Sequence, residues 1–173
     1  FQQYRRTGLL ILAFLVSGIY GCGGSNSPPV QQNTTSDDVT FNLTLASRNS
    51  VPPLTLTGTG SGSLTLDQFD SSLSGTVTFS NLTGDATNAH IHTGDAGTTG
   101  GVVITLDIDN TSKQVSVPSG TTLTAAQITA MLTGQYYVNI HTAANGTGEI
   151  RGQVVPPGFE LIRVELKGEN QVP

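Results

Sequence analysis

Two short extended runs hold all three histidines of this chain and constrain its fold more than any other feature. Residues 89–93 read Ala-His-Ile-His-Thr, and residues 136–141 read Tyr-Tyr-Val-Asn-Ile-His. Side chains alternate between the two faces of a β-strand. This alternation puts His90 and His92 on one face of the first strand, and it puts His141 opposite the apolar side chains of the second. We therefore expect two strands whose histidines point away from the side that packs.

If these strands are neighbours, three imidazoles converge on one polar surface. Neutral imidazole is the commonest protein ligand for zinc and copper. The pattern therefore predicts a copper or zinc site formed by His90, His92 and His141. The alternative is that the three are ordinary polar residues that bind no metal. A fourth ligand is not identified, and the candidates besides water are Asp85, Asp95 and Glu149.

The rest of the chain predicts an all-β fold. Only 11% of the residues are charged and 21 are glycine, which suits an extracellular β-domain better than a cytoplasmic enzyme. Short stretches of alternating apolar and polar residues are separated by glycines, and residues 39–45 are the clearest example. Residues 102–109 predict one strong strand, and residues 113–117 predict a short one. We expect an antiparallel Greek-key sandwich or barrel.

One window, residues 121–133, has the pattern of a helix. Thr124 can cap its start, and Gln127 follows three residues later, which is the spacing of a capping box. Gly134 can end the helix. We expect a short crossover helix that packs on the sheet and has no functional role of its own.

A hairpin is predicted after the second histidine strand. The pair Asn145-Gly146 is a strong turn signal, and residues 149–155 have the alternation of a returning strand. Glu149 and Arg151 share one face of that strand. Their simplest role is that of a surface charge pair, which contributes little to stability.

The N-terminus reads as a targeting segment. In residues 1–21 a short positive region precedes an apolar run too short for a membrane span, which is the layout of a signal peptide. Its end resembles a bacterial lipoprotein signal, and Cys22, the only cysteine, follows. We expect Cys22 to carry a lipid, since a lone exported cysteine has no disulfide partner; the alternative is a secreted protein with one free thiol. Residues 22–38 would be a flexible linker, and the expected location is the outer membrane, cell surface or extracellular space.

The folded domain is expected to span residues 39–156, and the tail, residues 157–173, contains a stretch that resembles its beginning. Leucine, asparagine, valine and proline occur in the same register in residues 45–52 and 166–173. Such similarity predicts either the start of a second repeat or a tail strand that pairs with the sheet of another copy; the alternative is a chance match of four residues. Other copies are therefore the expected partners, and the N-terminal lipid is the expected membrane contact. The formal net charge of −5 argues against nucleic acid, which needs a basic face.

Five short segments together resemble the CHRD domain, the module named after chordin. They are residues 49–53, 89–92, 123–124, 137–142 and 148–153. The resemblance covers about two-thirds of the chain. It implies an extracellular module, found in bacterial surface proteins and often repeated, whose biochemical role is poorly defined.

A weaker resemblance links the histidine pattern to copper/zinc superoxide dismutases. Those enzymes are also antiparallel β-structures with a His-x-His motif on one strand, and here a glycine-rich loop with Asp95 follows the motif. That family needs four copper histidines and further zinc ligands, whereas this chain has three histidines and lacks a cysteine pair. A full dinuclear site is therefore excluded, while a mononuclear three-histidine site is compatible with the sequence.

Three functions follow from these patterns. We expect an extracellular module that binds a transition metal through its histidines and assembles through its tail strand. The first alternative is a metal-free structural or adhesive scaffold, such as a filament subunit. The second is a mononuclear copper redox enzyme, which is the least favoured because the sequence shows no positioned general base and no nucleophile signature.

Overall fold

Residues 38–162 are described by the computed structural model, and within them nine strands and one α-helix follow one another along the chain. A single 3₁₀ turn, Ser47–Asn49, follows the first strand. The strands and the helix are β1 (Val39–Ala46), β2 (Thr59–Asp67), β3 (Ser72–Ser80), β4 (Ala86–Thr93), β5 (Val102–Thr105), β6 (Asp107–Asp109), β7 (Gln114–Ser116), α1 (Ala125–Leu132), β8 (Tyr136–Thr142) and β9 (Ile150–Gln153).

The nine strands form one antiparallel sheet that curls into a nearly closed barrel. Their order is β5-β4-β8-β9-β1-β2-β3-β7-β6. The two strands at the ends of this order, β5 and β6, are consecutive in the chain and are joined by Leu106. The Leu106 N–H donates to the carbonyl of Ala89 in β4 at 2.9 Å. Because the chain crosses directly from one end of the sheet to the other, the sheet must curl, and the predicted antiparallel barrel is confirmed.

Alternate residues of the strands fill the interior of the barrel. In β1 the inward positions Phe41 and Leu45 are fully buried, while their neighbours Asn42 and Thr44 are exposed. This is the period of two that the sequence shows. Burial of a large apolar side chain typically contributes about 1.5–3 kcal/mol, so these positions hold the sheet curled.

One predicted strand is wrong, and the helix is confirmed. Residues 102–109 do not form one strand, because Leu106 turns into the core, where it is 4% exposed, and divides the run into β5 and β6. The helix begins at Ala125, directly after a capping box between Thr124 and Gln127. Its buried residue is Met131, which packs in the core.

Several sequence predictions lie outside the described residues. The signal peptide, Cys22 and nearly all of the linker fall in residues 1–37, and most of the tail strand falls in residues 163–173. Residues 157–162 form a turn and an extension outside the strands. Lipidation and strand donation therefore stay predictions. Within residues 38–162, no helix has the length and apolar character needed to cross a membrane.

Candidate metal centre

The three histidines lie on two neighbouring strands. Strands β4 and β8 pair antiparallel, so that His90 lies opposite Asn139 and His92 lies opposite Tyr137. His141 lies opposite Asn88, one step further along the same face of β8. The pairing brings the two histidine runs side by side, as the sequence pattern requires for a shared site.

The side-chain nitrogens of His90, His92 and His141 form one cluster. One ligand nitrogen from each ring lies within 4.8 Å of the other two. Among these contacts, His90 Nδ1 lies 3.2 Å from His141 Nε2. Two nitrogens bound to the same copper or zinc ion at about 2.0–2.1 Å are separated by little more than 3 Å. The expected convergence of the three imidazoles is confirmed, and binding of a metal stays a prediction.

The histidines are more enclosed than the sequence suggested. We expected them to point away from the packed side, yet His92 and His141 are only 9% and 8% exposed, and every residue of β8 is buried. Two loops enclose this face: residues 94–101 between β4 and β5, and residues 143–149 between β8 and β9. We call them the first loop and the second loop. They turn a polar sheet surface into an enclosed site.

The first loop fixes the orientation of His92. The nitrogen Nδ1 of His92 lies 3.1 Å from the carbonyl oxygen of Gly100. A carbonyl only accepts, so Nδ1 carries the hydrogen and Nε2 of the neutral ring keeps a lone pair. Glycine is required at this position, since a Cβ atom would lie 2.0 Å from the carbonyl oxygen of Thr93.

The other nitrogen of His92 has no hydrogen-bond partner. Nε2 is buried, and it is one of two such side-chain atoms in the described part of the chain. An unsatisfied buried polar atom typically costs about 1–3 kcal/mol. The lone pair of this nitrogen is therefore available to coordinate a metal ion.

The second loop fixes the orientation of His141, as the first loop does for His92. Its Nδ1 donates to the carbonyl of Gly146 at 3.0 Å, which leaves Nε2 as an acceptor. That Nε2 accepts from His90 Nδ1 when no metal is present. Histidines that bind metals usually donate their outer N–H to a carbonyl or carboxylate in this way. The cluster therefore has two outer contacts of the kind that metal sites use.

Burial favours the neutral form of two of the rings, those of His90 and His92. The pKa of His90 is lowered from its ordinary value by burial and by the neighbouring His141 and His92. Burial also lowers the pKa of His92, and the hydrogen bond to Gly100 only partly opposes this shift. Neutral rings expose the lone pairs that a metal ion requires.

Comparison with known proteins adds a family to this geometry. Residues 41–154 match the family model of the CHRD domain.

The chain belongs to the CHRD domain family.

The match begins within β1 and ends just after β9, and it includes both histidine strands. No curated protein and no solved structure matches the chain. The resemblance to copper/zinc superoxide dismutases therefore stays an expectation from the sequence.

A stack of side chains supports His92 within this CHRD domain. The ring of Tyr137 lies parallel to that of His92, with centroids 4.9 Å apart and an interplanar angle of 3°. The guanidinium carbon of Arg151 lies 3.5 Å from the centroid of Tyr137. Tyr137 thus lies between a histidine from β4 and an arginine from β9.

The prediction that Glu149 and Arg151 form a surface pair is wrong. Glu149 is 0% exposed and Arg151 is 3% exposed. The carboxylate of Glu149 accepts from Thr83, Thr142 and Asn145, whereas Arg151 donates to backbone carbonyls. The two side chains have separate partners: those of Glu149 come from the turn before β4, from the end of β8 and from the loop after β8, whereas the carbonyls that Arg151 contacts belong to the first loop.

The carboxylates of two candidate fourth ligands, Asp85 and Glu149, are engaged elsewhere. The Asp85 carboxylate pairs with Lys113 at 3.1 Å on the surface. Glu149 is occupied by hydroxyl and amide donors, and the backbone carbonyl of Asp95 accepts from Arg151. Within residues 38–162, the potential metal cluster comprises the histidines and none of these three carboxylates.

Sequence reasoning missed the outer contacts of the site. The carbonyls of Gly100 and Gly146 belong to residues with no side-chain chemistry, and Arg151 was interpreted as a surface charge. The available signals were the glycine-rich run after His92 and the Asn-Gly turn after His141, since each places a loop beside a histidine.

Proposed function

We propose that this CHRD domain is an extracellular module that binds one transition-metal ion, copper or zinc, through three histidines. The ligand atoms would be His90 Nδ1, His92 Nε2 and His141 Nε2. The observation that carries the proposal is the buried Nε2 of His92, which has no hydrogen-bond partner. A metal ion would convert this unfavourable atom into a ligand.

Binding requires one hydrogen to move. Without metal, His90 Nδ1 carries the hydrogen that His141 Nε2 accepts at 3.2 Å. To bind the metal, His90 must transfer this hydrogen to its own Nε2 through solvent. His90 is the least buried of the three rings, so its outer nitrogen can exchange with water. The other two rings already have the required tautomer.

The ligand set favours copper or zinc over harder ions. Imidazole nitrogen suits copper and zinc, whereas magnesium and calcium prefer carboxylate and carbonyl oxygen. The three histidines offer no negative charge. Water or an external ligand would complete a tetrahedral arrangement, as in open three-histidine sites.

The test is metal stoichiometry on protein purified without a histidine tag. Metal content is measured by mass spectrometry, followed by titrations with Cu(II) and Zn(II) separately. We expect one equivalent to bind, and we expect the His90→Ala/His141→Ala variant to lose it. Asp85→Ala is the matched control, because its carboxylate pairs with Lys113 outside the cluster.

Two results would contradict the proposal. One is wild-type protein that binds neither metal, and the other is binding that survives in the double variant. Either result would favour the metal-free scaffold, in which the histidines serve as hydrogen-bonded structural residues.

The extracellular location is part of the proposal. It is supported by the signal-peptide pattern of residues 1–21 and by the lone Cys22. Radiolabelled palmitate incorporation, compared between the native sequence and Cys22→Ala, tests the lipid anchor directly. Incorporation that is equal in the two proteins would contradict it.

A further inference from the structure

Each of the two buried histidines depends on a different loop. The first loop supplies the Gly100 carbonyl to His92, and the second loop supplies the Gly146 carbonyl to His141. A loop carbonyl can fix a tautomer only if the loop itself is held in place. The fastenings of the two loops are therefore part of the site.

A buried arginine fastens the first loop. The guanidinium of Arg151 donates to the carbonyl of Thr98 at 2.5 Å and to that of Asp95 at 3.0 Å. Within the described residues no carboxylate forms an ion pair with Arg151. Its charge is instead satisfied by loop carbonyls and by the Tyr137 ring, which stacks on His92. Arg151 thus holds the first loop in place and also packs on Tyr137, whose ring stacks on His92.

A buried glutamate fastens the second loop. One carboxylate oxygen of Glu149 accepts from Asn145 Nδ2 at 2.9 Å and from Thr142 Oγ1 at 2.6 Å. The other accepts the backbone N–H of Thr83 at 2.8 Å. Asn145 directly precedes Gly146, whose carbonyl receives the N–H of His141. The glutamate therefore holds the turn that orients this histidine.

Within the described residues, Arg151 and Glu149 form no ion pair with each other. A buried charge is costly unless its hydrogen bonds are complete. Arg151 donates to two carbonyls of the first loop, whereas Glu149 accepts from Asn145 of the second loop and also from Thr83 and Thr142 beside it. We propose that Arg151 and Glu149 are positioning residues of the histidine cluster. Arg151 fixes the Nδ1–H tautomer of His92 through the first loop, and Glu149 fixes that of His141 through the second. Their benefit to metal affinity rests on the proposed function.

The test reads the tautomers in metal-free protein. Long-range ¹H–¹⁵N correlation spectra distinguish an Nδ1–H ring from an Nε2–H ring. In wild-type protein, His92 and His141 are expected to be Nδ1–H. Arg151→Lys should add the Nε2–H form to His92 alone, and Glu149→Gln should add it to His141 alone. Each variant is the control for the other, since general loosening would disturb both rings.

The proposal is overturned if neither variant changes its histidine, or if both variants change both histidines alike. Where Arg151→Lys does not fold, Gln153→Met replaces it, because Gln153 also holds the first loop through the Gly94 carbonyl at 2.8 Å. Where Glu149→Gln does not fold, Asn145→Ala replaces it and leaves the buried carboxylate in place. Each replacement variant must likewise change the tautomer of its own histidine and leave the other histidine unchanged.

A metal titration separates this inference from the proposed function. If both hold, each variant should weaken Cu(II) or Zn(II) binding by about 10- to 100-fold while stoichiometry stays at one. If each variant changes the tautomer of its own histidine alone but the wild-type protein binds no metal, the positioning roles are supported and the proposed function is overturned. Full metal affinity in a variant whose histidine has changed tautomer would overturn the positioning roles.

Discussion

The variant His92→Phe tests whether His92 is a metal ligand or a purely structural histidine. In the metal-free protein, His92→Phe removes the buried Nε2 that has no partner, which is worth about 1–3 kcal/mol. It also removes the hydrogen bond to the carbonyl of Gly100, an exposed residue, and such a bond typically contributes about 0.5–1.5 kcal/mol. The stack on Tyr137 is retained, because phenylalanine is also a flat ring. The free energy of unfolding of the metal-free protein should therefore fall by no more than about 1 kcal/mol.

Added metal should change the difference in unfolding free energy between the wild-type protein and His92→Phe. A ligand that binds only the folded state stabilises it by about 2.7 kcal/mol when its free concentration is one hundred times Kd. Wild-type protein should gain this amount with copper or zinc, whereas His92→Phe should gain far less. The assay is urea denaturation with and without metal, followed by circular dichroism.

Tyr137→Phe is the matched control for this assay, since it keeps the stack and all three histidines but loses the hydroxyl that accepts from the Gly100 N–H. It should retain most of the metal-dependent stabilisation. The reasoning is refuted if His92→Phe gains as much stability from metal as the wild type. It is also refuted if His92→Phe destabilises the metal-free protein by several kcal/mol, because a purely structural histidine would then explain the cluster.

Three further predictions concern pH, the first loop and the tail. The pKa values of His90 and His92 lie below the ordinary 6.5, so the unfolded chain binds protons first as pH falls; by linkage the free energy of unfolding should decrease below about pH 6.5, and denaturation at pH 7.5 and 5.5 that gives equal values would contradict this. Gly100→Ala should weaken metal binding by about tenfold or more, because its Cβ would lie 2.0 Å from the Thr93 carbonyl oxygen and displace the loop. The affinity of both variants is measured by calorimetric titration. Gly101→Ala, whose Cβ would meet nothing within 4 Å, should bind metal normally, and an equal loss of affinity in the Gly100 and Gly101 variants would count against a role for the Gly100 carbonyl. If the tail donates a strand, deleting residues 159–173 should convert assemblies into monomers by light scattering, and a full chain that is already monomeric would rule out this form of assembly.

Glu149 shows a limit of prediction from the alternation of apolar and polar residues along a strand. Its pKa is raised by burial, yet hydrogen bonds from Thr142, Thr83 and Asn145 outweigh this effect and hold it below the ordinary value. Thr83 is distant in sequence, and it contacts the carboxylate only because the turn before β4 packs against the end of β8. An alternating pattern shows which side of a strand a residue occupies. It does not show whether another part of the chain covers that side.

The sequence by itself determined the features that depend on neighbours along the chain. Strand alternation placed His90 and His92 on one face, and the spacing of Thr124 and Gln127 marked the start of the helix, because backbone geometry sets both. Only the tertiary structure decided that β4 lies beside β8, that Leu106 divides a continuous apolar run, and that two loops enclose the histidines. The physical reason is that burial and hydrogen-bond partners come from segments far apart in the chain. Enclosure by those segments leaves His92 Nε2 without a partner and turns a polar strand face into a candidate metal site.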